Sequence, residues 1–149
     1  MRWSNIQKAV TRDDAVSQVR HQITVTAFQA SDIEAIDPKS ELLGMAKFYK
    51  ESGPAYTAWQ NGKAIASGGL IICGKVAHAW GCISDAARSR PFFLHRTTVN
   101  LLALELTRYR VETVVVLTND AFPAAAKWLE RMGFQLGSKM TVHILRRHV

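Results

Sequence analysis

Between Ala55 and Ser84 the sequence contains no aspartate and no glutamate. That gap takes the commonest carboxylate bases out of the middle of the chain, and leaves His78, between two alanines, as the candidate base there. Residues 84–96, "SDAARSRPFFLHR", contain no glycine. A loop built that way does not let a phosphate approach the backbone as closely as a glycine-rich one does. Cysteine is scarce: only Cys73 and Cys82, in no metal-ligand spacing. If Gly74-Lys75 is a tight turn, Cys73 sits beside it and Cys82 far along the next strand, which does not suit a disulfide. Two free thiols fit a reducing compartment. No run reaches the roughly 18 apolar residues of a membrane span. The opening "MRWSNIQKAV" has no apolar signal-peptide core, so neither a membrane nor secretion is expected.

What is present is a chain of 149 residues, 48% hydrophobic, which is enough for one domain with an ordinary core. One domain over residues 1–149 is expected, with residues 1–20, weakly patterned, as a short helix or a loosely attached arm. The net charge is +7, and it is uneven. Residues 1–75 carry nine basic against seven acidic side chains; residues 76–149 carry ten against five. The excess, in Arg88, Arg90, Arg96, Arg108, Arg110, Lys139, Arg146 and Arg147, is scattered and has no interleaved aromatics. It predicts a solvated basic surface, an acidic partner, or weak, non-specific and salt-sensitive contact with nucleic acid.

"ITVTAFQ", residues 23–29, alternates and predicts a strand. Ser31 and Glu34 make a capping box that opens a short helix. Asp37-Pro38 predicts the start of a second helix, with Leu42, Met45, Ala46 and Tyr49 as its buried stripe. Asn61-Gly62 between "AYTAW" and "AIASGGLIIC" predicts a type I′ hairpin. "CGKV" turns again into "VAHAWGCI", so three strands form a meander. A long helix follows from about Pro91 to Tyr109, with Phe92, Val99, Leu102, Leu106 and Tyr109 as its core stripe. "ETVVVLT", residues 112–118, reads as a strand buried on both faces. Asn119 or Asp120 caps a last helix with Ala125, Trp128, Leu129 and Met132 on one side and Gly133 as its stop. "MTVHILRR" is the final strand. The passage from Val76 to Thr118 is a βαβ crossover, which predicts an α/β fold whose mixed sheet pairs those two strands in parallel.

This order resembles the GNAT superfamily of N-acetyltransferases, and "NDAFPAAAKWLERMGF" resembles its C-terminal asparagine–helix–Gly-Phe segment. "AIASGG", "HAWGCISD", "LTND" and "AKWLERMGF" are similar, in order and spacing, to the internal virion protein A family of short-tailed podophages, which looks like a GNAT derivative. The shared features are Gly68-Gly69, Trp80, Ser84-Asp85, Asn119, and Trp128-Leu129 through Gly133.

The GNAT resemblance implies acetyl-CoA, with its pyrophosphate on an R/Q-x-x-G-x-G/A motif at the start of the long helix. Aligned on Arg88, that motif reads Arg88-Ser89-Arg90-Pro91-Phe92-Phe93. Proline and phenylalanine stand at the glycine positions, removing one N–H donor and adding bulk. The family's helix tyrosine position holds Leu129. The expectation is an eroded site and no cofactor. Arg88, Ser89, Arg90 and Asn119 are the candidates for any residual cofactor contact; His78 and Asp85 are the candidate catalytic groups; no metal is expected. The phage resemblance implies a non-catalytic assembly or scaffolding protein, with other virion proteins as partners, in the host cytoplasm or inside the virion. The alternative is an active acetyl-CoA-dependent N-acyltransferase with an atypical pyrophosphate loop.

Overall fold

The computed structural model describes residues 23–117, 123–136 and 142–146. The expected arm at residues 1–20 and the expected cap at Asn119 or Asp120 lie outside them. The chain runs β1 (Ile23–Ala27), α1 (Asp32–Ile36), a 3-10 turn (Leu43–Met45), α2 (Ala46–Ser52), β2 (Ala55–Gln60), β3 (Lys63–Cys73) and β4 (Val76–Ile83). It continues with α3 (Asp85–Arg88), α4 (Pro91–Arg108), β5 (Thr113–Leu117), α5 (Pro123–Arg131), β6 (Gln135–Leu136) and β7 (Val142–Arg146). The strands form one sheet in the order β1-β2-β3-β4-β5-β7-β6.

The turns expected from composition carry the meander. Asn61 and Gly62 both hold positive φ, 51° and 78°, as a type I′ turn demands. Gly74 does the same between β3 and β4 at 63°. β4 and β5 pair in parallel, from Val76↔Thr113 to Ala79↔Val116, as the crossover pattern predicts; the other strand pairs among the described residues are antiparallel. At Gly53 the chain crosses tightly over β3. A Cβ there would stand 2.1 Å from the Leu70 carbonyl oxygen, so no side chain fits.

Helices cover both faces. On one, α4 and α5 bury Leu106 and Leu129 against Leu70, Ala77 and Val114. On the other, α1 and α2 bury Ile33 and Tyr49 with Phe28 and Cys82, and Trp80 stacks on Tyr49 at 4.3 Å. Phe28 and Ile33 are fully buried, which contributes about 1.5–3 kcal/mol each.

Three local expectations fail. The second helix begins at Ala46, not at Pro38. Side-chain acceptors win over the helix there: Asp37 Oδ1 takes the Lys39 N–H at 3.0 Å and Ser40 Oγ takes the Leu42 N–H at 3.1 Å. The Ser31 side chain makes no cap bond. Instead, Asp32 in the first turn accepts from the Gln29 N–H at 2.8 Å. The long helix meets its expected stripe only in part: Leu106 is buried and Leu102 packs on the core, but Phe92, Val99 and Tyr109 are exposed, and the polar Thr97, Asn100 and Glu105 are buried.

Candidate functional site: the β4–α4 junction and the cavity beneath α4

β4 stays paired with β3 to its end, Ala66↔Ile83, but its described pairing with β5 ends at Ala79↔Val116. Where the two parallel strands part, a cavity of about 210 Å3 opens between the sheet and helices α4 and α5. Its walls are mostly apolar: Ala79 and Gly81 of β4, Val116 of β5, Phe93, Leu101 and Leu102 of α4, and Leu129 of α5. The indole Nε1 of Trp128 donates to His95 Nδ1 at 3.1 Å and ties α5 to α4 beside it.

The junction above this cavity is a short helical turn. Ser84 is the N-cap of α3, and its Oγ accepts from the Ala87 N–H at 3.3 Å. The next three N–H groups are also used: Arg88 to the Ser84 carbonyl at 3.1 Å, Ser89 to Asp85 at 3.0 Å, and Arg90 to Ala87 at 3.0 Å. Pro91 has no N–H and is the first residue of α4. The four N–H groups from Ala87 to Arg90 are thus turned onto the loop's own oxygens. The N–H groups of Phe92 and Phe93 and the Arg90 side chain are what the helix start still offers an anion. Arg90 Nη1 is buried without a hydrogen-bond partner.

The sequence candidates separate in space. His78 is exposed on β4, opposite Ile71 and Val115 and outside the cavity wall. Asp85 is a first-turn residue of α3, paired at 3.3 Å with Arg88 across an exposed surface. Ser89 Oγ donates to the Ala86 carbonyl at 2.7 Å. Among the described candidates, Arg90 is the one with a buried, unpartnered side-chain nitrogen. Phe93 was expected to add bulk at the cradle; it lines the cavity under α4 instead. Phe92 stands in solvent, 91% exposed. Among the described residues no cluster of His, Cys, Asp or Glu could hold a metal ion.

Two polar residues in the cavity wall escaped the sequence reading. Glu105, on α4, is 2% exposed, and its Oε1 accepts from the hydroxyl of Tyr56 on β2. Its Oε2 is buried with no partner. Burial, then the hydrogen bond and charge of Glu105, push the Tyr56 hydroxyl well above the usual phenol range. A usable signal was the i+4 row Phe93, Thr97, Leu101, Glu105, which points four residues of α4 at one surface.

No protein-family model and no curated protein sequence matches the chain. Solved structures do. The Escherichia coli ribosomal-protein-S18-alanine N-acetyltransferase superposes with a TM-score of 0.66 at 16% identity, over 83% of this chain and 93% of that one. A variant of the Vibrio cholerae spermidine N-acetyltransferase gives 0.63 at 12% identity, over 84% and 94%. An aminoglycoside acetyltransferase, AAC(6')-Ib, solved with coenzyme A, gives 0.61 at 13% identity, over 84% and 95%. The fold is that of the GNAT N-acetyltransferases. At these identities the likeness extends to the fold alone.

Proposed function

We propose that this GNAT-fold chain acts through protein contacts and not through acetyl transfer, as an assembly protein of the internal virion protein A kind. The observation that carries the reading is the junction: from Ala87 to Arg90 each backbone N–H is bonded within the turn, and Pro91 has none. Reopening the turn to free those four donors would break four hydrogen bonds. The residues shared with the phage family support the reading, because those described here serve the scaffold. Gly69 lies where a Cβ would meet Ala55 and Pro54 at 2.6 Å. Trp80 sits between Tyr49 and Phe28, Ser84 caps α3, and Gly133 ends α5 with a φ of 98°. The exposed Phe92, at the start of α4, offers such a partner an apolar contact. The setting that goes with this reading is the host cytoplasm or the virion interior.

A second reading, an acyltransferase with an atypical pyrophosphate site, is favoured by one observation: the buried, unpartnered Nη1 of Arg90 at the α4 N-terminus. Thermal unfolding with acetyl-CoA separates the two. A ligand at about 100 times its dissociation constant adds roughly 2.7 kcal/mol. For a chain of this length that raises the midpoint on the order of 5–10 °C. The contact reading expects no more than about 1 °C at millimolar acetyl-CoA. A shift of several degrees that Arg90→Ala removes would put the acyltransferase reading first.

A further inference from the structure

We infer that the inner end of the cavity beneath α4 is a binding site for a small aliphatic molecule bearing a hydrogen-bond donor at one end, with Glu105 as the acceptor. The inference concerns neither the junction nor acetyl transfer. Three observations converge on it. The space is there: about 210 Å3 between sheet and helix. Apolar cavities of about 150 Å3 hold a benzene molecule. Its lining, which includes Gly68 and Leu70 of β3 with Leu101 and Leu102 of α4, suits an alkyl body. Set in that wall is a carboxylate that is 2% exposed and only half satisfied.

Glu105 is costly as it stands. Tyr56 satisfies Oε1, while Oε2 has left water and gained no partner. An unpaired buried oxygen of this kind is a persistent penalty that a donor would remove. Glu105 is one of the residues that line the cavity, and its Oε2 is the oxygen left for a donor. Tyr56 holds the other oxygen and fixes which one is offered. A molecule with one O–H, N–H or ammonium head on a short chain therefore matches both parts of the site. An equally large molecule lacking the donor matches only the apolar part.

The test uses the full chain and two isomers of the same formula, 1-hexanol and pentyl methyl ether. Binding is followed by methyl and aromatic NMR shifts and by the thermal midpoint. The expected result is at least tenfold tighter binding of the alcohol, with shifts concentrated at Leu101, Leu102 and Tyr56. The double variant Tyr56→Phe/Glu105→Met removes both polar partners together, which leaves no new orphan. It should bind alcohol and ether equally. Equal affinities for the two isomers in the unmodified chain, or shifts that avoid those three residues, would overturn the assignment without recourse to any variant.

Discussion

Thr57 Oγ1 donates to Asp32 Oδ2 at 2.6 Å, inside the sheet face that α1 covers. The same carboxylate oxygen takes the Gln29 N–H at 2.8 Å, and Thr57 shares a 2.8 Å bond with Ser67. Asp32, Thr57 and Ser67 are all buried, so water cannot replace a lost partner. Hydrogen bonds to charged groups contribute about 1.5–3 kcal/mol. Asp32→Ala should therefore cost about 2–3 kcal/mol, with the denaturant midpoint falling and the slope unchanged. Asp32→Asn keeps an oxygen in place for both donors and should cost less. If alanine and wild type unfold at the same midpoint, the pin between α1 and β2 has no energetic weight.

A second prediction concerns alkaline pH. Burial raises the Cys82 thiol and the Tyr49 hydroxyl, and burial together with Glu105 raises Tyr56. In each case the folded state holds its proton to higher pH than the unfolded chain does. Their stabilising contribution is thus complete below the unfolded values and is lost as pH rises through the folded ones. The loss should begin above about pH 8.5 with Cys82 and deepen above about pH 10 with the tyrosines. Urea midpoints at pH 7, 9 and 10.5 measure it. Cys82→Ala should flatten the first part and Tyr56→Phe should reduce the second. A midpoint that holds constant to pH 10.5 contradicts the assigned protonation states.

How much of this could be read from the chain depends on the range of the interaction. The Asn61-Gly62 turn, the Gly133 stop and the β4–β5 pairing follow from local chemistry and period, and each stands where the sequence puts it. The inward face of α4 does so only in part. Apolar periodicity finds Leu102 and Leu106 but also selects Phe92, Val99 and Tyr109, which face water, and it passes over the buried Thr97, Asn100 and Glu105. The Tyr56–Glu105 bond joins residues 49 apart in sequence, which no local pattern announces. At the junction the missing glycines were visible, but the decisive feature was not. Ser84 and Asp85 are ordinary cap residues; that they wind the loop into a turn and occupy its N–H groups is a property of the folded chain.

The last prediction turns on two adjacent phenylalanines that the fold treats oppositely. Phe92 is 91% exposed at the start of α4, while Phe93 is half-buried in the cavity wall. An exposed side chain with no packing partner contributes little to the fold, so Phe92→Ser should change stability by no more than about 0.5 kcal/mol. Phe93→Ala enlarges a cavity that already exists and should cost about 1–3 kcal/mol, below the range for a fully buried phenylalanine. Thermal unfolding of the two variants reads both numbers. If the chain acts through contacts, Phe92→Ser should keep the wild-type midpoint yet lose recovery with virion proteins from infected cells. Phe93→Ala should lower the midpoint and keep that recovery while folded. Phe92→Ser that retains full recovery would remove the α4 start from the contact surface. Greater destabilisation by Phe92→Ser than by Phe93→Ala would mean that the start of the helix is turned the other way, with Phe92 inward as its apolar periodicity suggested.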